Sequence, residues 1–442
     1  MSIPDNYELD FGFGVGTYDL NANLTLPADG CTQCGMCLAT CPTYKNSEEL
    51  TQSPMGRIQI IRNINSGAYE YKLVDADSLD TCLACGTCET VCPSKVAYLD
   101  LLHGAKSKLR EQRSKSLYTN TLLMVLKHTL LLSIFANLAK PFVPLAHFLR
   151  NRIKSEKLYS LLTGIAYSKY ANETSNKSYY KSSVKQTALK ISLFKGCVSS
   201  VFDRQVQDAT MSLLRSCGVK VYVANDQTCC GAVHAHNGDK TTAINLAIKN
   251  MQALQSEPVD AIINTSSGCG LYLKEYGKLL DEETKCISEP AKAMSTKTTD
   301  ILSWLYSSAV LNDFQFNSCN KVVALHTPCS LKTDELAISA TKLLLNKIPG
   351  LVIHNVSDFA SCCGAGGSHL LTHPQKAASL RVETLNDVKN INPDIVLTSN
   401  VSCSLHLKEG LMEQGLDIEV LHPVQLLERQ LQEQRRSYDY IH

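Results

Sequence analysis

The chain has 442 residues, enough for two or three domains. Its 44% hydrophobic and 19% charged residues exclude a disordered chain, and a net charge of +1 argues against wholesale nucleic-acid binding. The outlier is cysteine, with 19 copies in tight, repeated groups. In a chain this long that pattern points to metal binding rather than to a disulfide framework.

Residues 1–26 read as a leader with little pattern. The acidic start MSIPDNYELD has neither the basic and apolar parts of a secretory signal nor the Arg/Ser bias of a transit peptide. The expectation is a cytoplasmic protein with reduced thiols. GFGVG at 12–16 does not sit between a clear strand and a helix, so it reads as a loop rather than a phosphate cradle.

Residues 27–112 hold eight cysteines in two groups, Cys31, Cys34, Cys37, Cys41-Pro42 and Cys82, Cys85, Cys88, Cys92-Pro93. Both follow C-x2-C-x2-C-x3-C-P, the bacterial ferredoxin spacing for 4Fe–4S clusters. Two-residue gaps let a turning backbone aim three thiolates at one cube. The fourth cysteine leads away and, in two-cluster ferredoxins, ligates the other cube. The expected ligand sets are therefore Cys31, Cys34, Cys37 with Cys92, and Cys82, Cys85, Cys88 with Cys41. Zinc also takes four thiolates, but zinc ribbons use separated C-x2-C pairs. The 40-residue gap between the groups is too long for a minimal ferredoxin, and SPMGRIQIIRNINSG within it is helical in pattern. The region reads as a helical two-cluster ferredoxin domain.

Residues 113–165 are helical in pattern, and 166–188 are a polar Ser/Asn/Lys-rich linker. The most apolar stretch, 121–149, has a longest uncharged central run of 11 residues, between His128 and Lys140. A bilayer span needs roughly 20, and Pro141 and Pro144 interrupt further, so no transmembrane helix is expected. Residues 106–157 carry 11 Lys plus Arg and 2 Asp plus Glu. Such a segment suits an anionic membrane face or a partner subunit, and equally a solvated linker packed on its own domain.

Residues 189–442 contain a duplication. Cys197, Cys229-Cys230-Gly231 and Cys269 recur as Cys329, Cys362-Cys363-Gly364 and Cys403, at offsets of 132, 133, 133 and 134. The two units are set at 189–310 and 311–442. Short β-branched runs precede the cysteines: ISLF, VKVYVA and DAIINT, then VVAL, LVIHNV and DIVLTS. Helical patterns such as 208–217 and 334–348 lie between them. Each unit reads as α/β with its cysteines beyond the C-terminal ends of strands, where open α/β sheets place ligands. Cys197, Cys229, Cys230, Cys269 and Cys329, Cys362, Cys363, Cys403 are candidate metal sets for a further iron–sulfur cluster or for zinc. Cys217, Cys286 and Cys319 fall outside the pattern and read as small buried hydrophobes. His234, His236 and His406 read as surface or supporting residues. No catalytic constellation and no flavin or nicotinamide fingerprint stands out, so no catalytic residue is assigned.

Taken together, CTQCGMCLATCPTY, SPMGRIQIIRNI, CLACGTCETVCPSKVAY, LFKGCVSSVF, TCCGAVHAHNGD, NTSSGCGLYLKEY, HTPCSLK, SCCGAGGSHLL, TSNVSCSLHLKEG and LHPVQLLE resemble the iron–sulfur subunits of glycolate oxidase. More broadly the chain is similar to CCG-domain proteins, among them heterodisulfide reductase subunits and the iron–sulfur subunits of lactate-oxidising and anaerobic glycerol-3-phosphate dehydrogenases. The resemblance runs from about residue 27 to about residue 430. It implies an α+β multidomain fold, a helical ferredoxin domain with two 4Fe–4S clusters followed by two tandem α/β CCG units. It further implies an electron-transfer subunit of a 2-hydroxy-acid dehydrogenase, with FAD on a partner subunit. A quinone or other membrane acceptor and a peripheral position on the inner face of the cell membrane are also implied. Full CCG units end in C-x-x-C, whereas here the ends read Ser266-Ser-Gly-Cys269 and Asn400-Val-Ser-Cys403. One thiolate per unit is missing, leaving four, enough for a 4Fe–4S cluster or a zinc ion, or for one unit to stay empty.

Overall fold

Helices separated by cysteine loops make up the N-terminal module. The computed structural model describes residues 30–66, 73–112, 116–139, 189–281, 283–332, 334–356 and 362–432. The stretches at 12–16 and 166–188 lie outside them, as do 140–165 of the apolar, basic segment. Helix α1 (Pro42–Ser47) starts directly after Cys41, with proline at its first position, where the fixed φ and missing N–H cost nothing. The SPMGRIQIIRNI stretch forms α2 (Pro54–Asn65), capped by the Ser53 side chain, which accepts from Gly56 N. Helices α3 (Leu73–Asp80), α4 (Thr87–Thr90) and α5 (Tyr98–Gln112) complete the module. Ile58 and Ile61 of α2, Leu79 of α3 and Leu101, Leu102 and Ala105 of α5 form a core that also contains Cys88. The sulfur sites thus lie against packed apolar side chains.

Helices α6 (Leu117–Lys127) and α7 (Thr129–Ala139) follow. They are bent 110° to each other, and no single helix among the described residues is long and apolar enough to cross a membrane. Leu122, Val125, Leu126 and Leu132 pack against Val198, Val201 and Phe202 of the next module.

Each repeat is a four-stranded, all-parallel sheet. The first comprises β1 (Lys190–Phe194), β2 (Lys220–Tyr222), β3 (Ala261–Asn264) and β4 (Thr298–Asp300), in the order β2-β1-β3-β4. The second comprises β5 (Val322–His326), β6 (Val352–Asn355), β7 (Ile395–Thr398) and β8 (Glu419–Leu421), in the order β6-β5-β7-β8. The registers correspond, Ile191 opposite Ala261 and Val323 opposite Ile395. The central strands are buried on both faces, which is why they read as continuous apolar runs. In the first repeat the sheet is joined by α8 (Cys197–Phe202), α9 (Arg204–Ser216), α10 (Ala232–His236), α11 (Lys240–Leu254), α12 (Ser267–Lys274), α13 (Tyr276–Leu279), α14 (Lys285–Lys297) and α15 (Ile301–Ser307). In the second it is joined by α16 (Glu335–Leu345), α17 (His369–Thr372), α18 (Pro374–Ile391), α19 (Val401–Glu413) and α20 (Pro423–Gln430).

The repeats face each other in an approximately two-fold manner. Helix α9 of the first packs on α20 of the second, and α15 packs on α16, the counterpart of α9. One hydrophobic core runs across the junction, joining Ile191, Leu193 and Ile263 to Val323, Leu325, Ile395 and Leu397. The ferredoxin-like module touches both repeats. Asn46 of α1 donates to Ser379 of α18 at 3.1 Å, and Lys278 pairs with Asp100 of α5 at 2.6 Å.

Candidate metal centres

The eight N-terminal cysteines gather around two recesses. The first, of about 450 Å³, is lined by Cys31, Cys34, Cys37, Cys92 and Cys88, with Pro54, Ile58 and Tyr98. The second, of about 310 Å³, is lined by Cys41, Cys82, Cys85 and Cys88, with Arg57 and Tyr98. Cys92 therefore reaches the recess of the first triplet and Cys41 that of the second, and Cys88 lines the wall between them. Among the described residues, no group of three or more His, Cys, Asp or Glu side chains converges on the position of a single metal ion. The donor set is instead eight thiols spread around two cavities, a chemistry that fits thiolate-ligated iron–sulfur cubes.

The recesses differ in their electrostatics. The first opens to solvent at Cys34, and no side chain among the described residues hydrogen-bonds the sulfurs of Cys31, Cys34, Cys37 or Cys92. Arg62 donates to the Cys31 carbonyl at 3.1 Å. In the second, the Tyr98 hydroxyl donates to Cys82 Sγ at 3.4 Å and Thr87 Oγ1 donates to Cys85 Sγ at 3.5 Å. Burial pushes the Cys85 thiol up to about 12, and the neighbouring Cys329 adds to the effect. Burial acts on Cys82 in the same direction, but Arg57, Lys106 and Tyr98 outweigh it and hold this thiol below its usual value.

The four candidate cysteines of each repeat also come together. Cys197 opens α8 and its sulfur lies 3.4 Å from that of Cys229, while Cys230 hydrogen-bonds both Cys229 and Cys269. Hydrogen bonds from Cys197 and Cys230 hold Cys229 well below the usual thiol range, against the effect of burial. In the second repeat the sulfurs of Cys363 and Cys403 are 2.7 Å apart, and Cys329 hydrogen-bonds Cys362. Cys269 and Cys403 lie in the first turns of α12 and α19.

The positions that lack a thiolate have other uses. Asn400 caps α19, its Oδ1 accepting from Ser402 N at 3.0 Å, and Ser266 stands at the N-cap of α12. The two sets approach each other here, because Ser330 Oγ, next to Cys329, donates to Ser267 Oγ at 2.7 Å. The second set also meets the N-terminal module: Cys85 and Leu83 pack in one cluster with Cys362 and Leu380, and Cys329 acts on the ionisation of Cys85, as Cys85 does on that of Cys362.

Cys217 and Cys319 are buried, as expected of small hydrophobes, whereas Cys286 is exposed near Thr284, which corrects that reading for one of the three. The histidines have structural partners. His234 Nδ1 meets Asp239 Oδ2 at 3.2 Å, His236 Nδ1 meets His103 Nε2 at 2.9 Å, and His406 lies between Arg381 and Glu409. His234 and His406 are buried and His236 is half-buried, and all three have supporting roles in the packing. Arg57 and Lys106 were given no role by sequence reasoning, although Arg57 lies within the quoted stretch SPMGRIQIIRNI.

A helical module with eight cysteines in two groups, ahead of two cysteine-bearing α/β repeats, defines a class of iron–sulfur protein. Residues 27–96 match the 4Fe-4S dicluster domain, and residues 191–274 and 323–408 each match the cysteine-rich domain known as CCG. The chain belongs to the CCG-domain family of iron–sulfur proteins. It is 28% identical to the probable glycolate oxidase iron-sulfur subunit of Bacillus subtilis (strain 168), over 90% of this chain and 92% of that protein. It is 29% identical to the glycolate oxidase iron-sulfur subunit of Escherichia coli (strain K12), over 85% and 89%. To a dihydromethanophenazine:CoB--CoM heterodisulfide reductase subunit of Methanosarcina acetivorans it is 23% identical, over 92% and 94%.

Proposed function

We propose that this chain is the iron–sulfur electron-transfer subunit of a 2-hydroxy-acid dehydrogenase complex acting on glycolate. The observation that carries the reading is the contiguity of Cys85 with Cys329 and Cys362, which joins the second N-terminal recess to the second repeat. Cys31, Cys34, Cys37 and Cys92 would hold one 4Fe–4S cluster and Cys82, Cys85, Cys88 and Cys41 the other. When bound, such clusters carry electrons one at a time. Oxidation of a 2-hydroxy acid to the 2-oxo acid releases two electrons and two protons, which suits a flavin (FAD) on a partner subunit.

This chain's residues divide the remaining work. The exposed Cys34 edge faces outward, towards the flavin partner. The apolar packing of Leu83, Cys85, Cys362 and Leu380 excludes water from the junction. Cys329, Cys362, Cys363 and Cys403, and across the two-fold Cys197, Cys229, Cys230 and Cys269, would hold a further iron–sulfur centre or zinc. The acceptor in this reading is a quinone. Exposed Leu117, Met124, Leu130, Phe135 and Leu138 on α6 and α7 support peripheral attachment to the inner face of the cell membrane. Ser266 and Asn400, in place of a fifth thiolate in each repeat, weigh against the chemistry of the heterodisulfide reductases.

The test is anaerobic co-purification from the source cell, followed by quinone-linked assays with glycolate, lactate and glycerol 3-phosphate. A co-purifying flavoprotein and turnover with glycolate support the reading. Turnover with lactate or glycerol 3-phosphate alone moves the substrate, and the lack of any flavoprotein overturns the complex. Metal analysis finding zinc but no iron in the repeats would remove them from the electron path.

A further inference from the structure

Arg57 is fully buried and no carboxylate among the described residues pairs with it. Its Nε donates to the Ser78 carbonyl at 2.8 Å, Nη1 to Thr43 Oγ1 at 3.1 Å and Nη2 to Gln52 Oε1 at 3.1 Å. These are neutral acceptors, and they fix the guanidinium in one orientation. Nη1 also points to Cys41 Sγ, 4.0 Å away, and the groups acting on its charge are Cys82, Tyr98 and Cys41. An unpaired buried cation is costly, so an anion belongs beside it. The groups positioned to supply that charge are the thiolates of the second recess.

Lys106 is a second cation that acts on Cys82. It is 5% exposed, and its Nζ donates to the His236 carbonyl of the first repeat at 3.1 Å. Burial holds its ammonium below the usual lysine value, with Cys82 and Asp80 opposing that effect and Arg57 adding to it. The second recess therefore has one cation in its wall, Arg57 from α2, and a second, Lys106 from α5, acting on its ligand Cys82, both donating hydrogen bonds to neutral groups. Among the described residues that line the first recess there is no cation, and Arg62 nearby donates to the Cys31 carbonyl.

We propose that Arg57, backed by Lys106, is a built-in counter-charge that raises the reduction potential of the cluster held by Cys82, Cys85, Cys88 and Cys41. The proposal rests on the ligand sets given above. Each reduction adds one negative charge to a thiolate-ligated cube, and burial alone disfavours that charge. Fixed cations nearby offset the penalty. The effect is directional, because the cluster so favoured is the one whose ligand Cys85 adjoins Cys329 and Cys362. Arg57 and Lys106 act through the cluster's surroundings and are tuning residues, not ligands.

The test is a redox titration of the full chain, followed by EPR, on the wild type, Arg57→Lys, Arg57→Gln and Lys106→Met. Two distinguishable reducible signals in the wild type establish the ligand reading, and a colourless, EPR-silent chain would defeat that reading before the proposal is reached. With two signals present, Arg57→Gln should make reduction of one cluster at least tenfold less favourable, about 59 mV for a one-electron couple. The other signal should stay in place, and Arg57→Lys should recover most of the shift. Lys106→Met should move the same signal in the same direction, which decides the matter should Arg57→Gln fail to assemble its cluster. Midpoints unchanged in Lys106→Met and in whichever Arg57 variants assemble, or both clusters moving equally, would overturn the proposal.

Discussion

A Cβ added to Gly366 would lie 2.6 Å from Leu83 Cδ2, so the loop after Cys363 and the loop between Cys82 and Cys85 meet with no room between them. Gly366 also has a φ of +45°, a region that β-branched residues avoid. Gly366→Val should therefore separate the two loops. We expect a loss of about 1–3 kcal/mol in stability, and slower passage of electrons between module and repeat. Thermal unfolding measures the first, and stopped-flow reoxidation by a quinone the second. A variant with wild-type reoxidation would show that this contact does not lie on the path.

The crossed ligand sets make a separate prediction. Cys92 lines the first recess and Cys41 the second. The EPR signal lost in Cys92→Ser should be the one lost in Cys34→Ser, and that lost in Cys41→Ser should match Cys82→Ser. Each substitution should remove about four iron atoms per chain. Pairing of Cys41 with the first triplet would reverse the matches.

The two triplets and the duplication are plain in the cysteine spacing, which is also what suggests the crossing of Cys41 and Cys92, because thiolate geometry is written in local sequence. The six strands ahead of the cysteines were legible too, since buried parallel strands read as apolar runs. The fourth strand of each sheet was not. Thr298–Asp300 and Glu419–Leu421 are three-residue edge strands with mixed burial, too short to show a period. Nor was the charge around Cys82 legible. Arg57 and Lys106 are far apart in sequence and meet at that sulfur only through the packing of α2 against α5. The contact of Cys85 with Cys329 and Cys362 is likewise a tertiary event, across a junction that no local pattern encodes.

Arg381 on α18 is 3% exposed and links to α19 through Glu409 at 2.9 Å, through Glu413, and through the His406 carbonyl at 2.9 Å. Removing the cation alone takes the arginine from buried Glu409 and leaves His406 Nδ1, 3.2 Å away, beside it. Arg381→Met should cost about 3–5 kcal/mol, read as a lower urea midpoint. The double variant Arg381→Met with Glu409→Leu should recover most of that loss, because both partners become apolar. A double variant as unstable as the single would assign the cost to lost packing by the arginine stem instead.

Acid should weaken the fold through histidines kept neutral inside it. His326, at the end of β5, has Nδ1 2.9 Å from Thr398 Oγ1; burial, with Lys332 nearby, brings it down to about 4. Burial likewise lowers His103 to about 4, His369 and His422 to about 3, and His236 well below its usual value. A folded pKa below the unfolded one gives stability that is complete above about 6.5 and lost as pH falls through the folded value. Asp203 and Asp300 act in the opposite sense. Burial pushes them up to about 7 and about 6, so their contribution is complete at low pH and fades as pH rises through those values. Burial raises Glu89 as well, so five histidines stand against three carboxyls, and the histidines set the net direction. The urea midpoint should fall steadily from pH 7 to pH 4.5, with His326 alone accounting for up to about 3 kcal/mol if its full shift were realised. His326→Gln should flatten part of that slope below pH 6.5. A variant with the wild-type slope would mean that His326 is already protonated in the folded state, its charge accommodated beside Thr398.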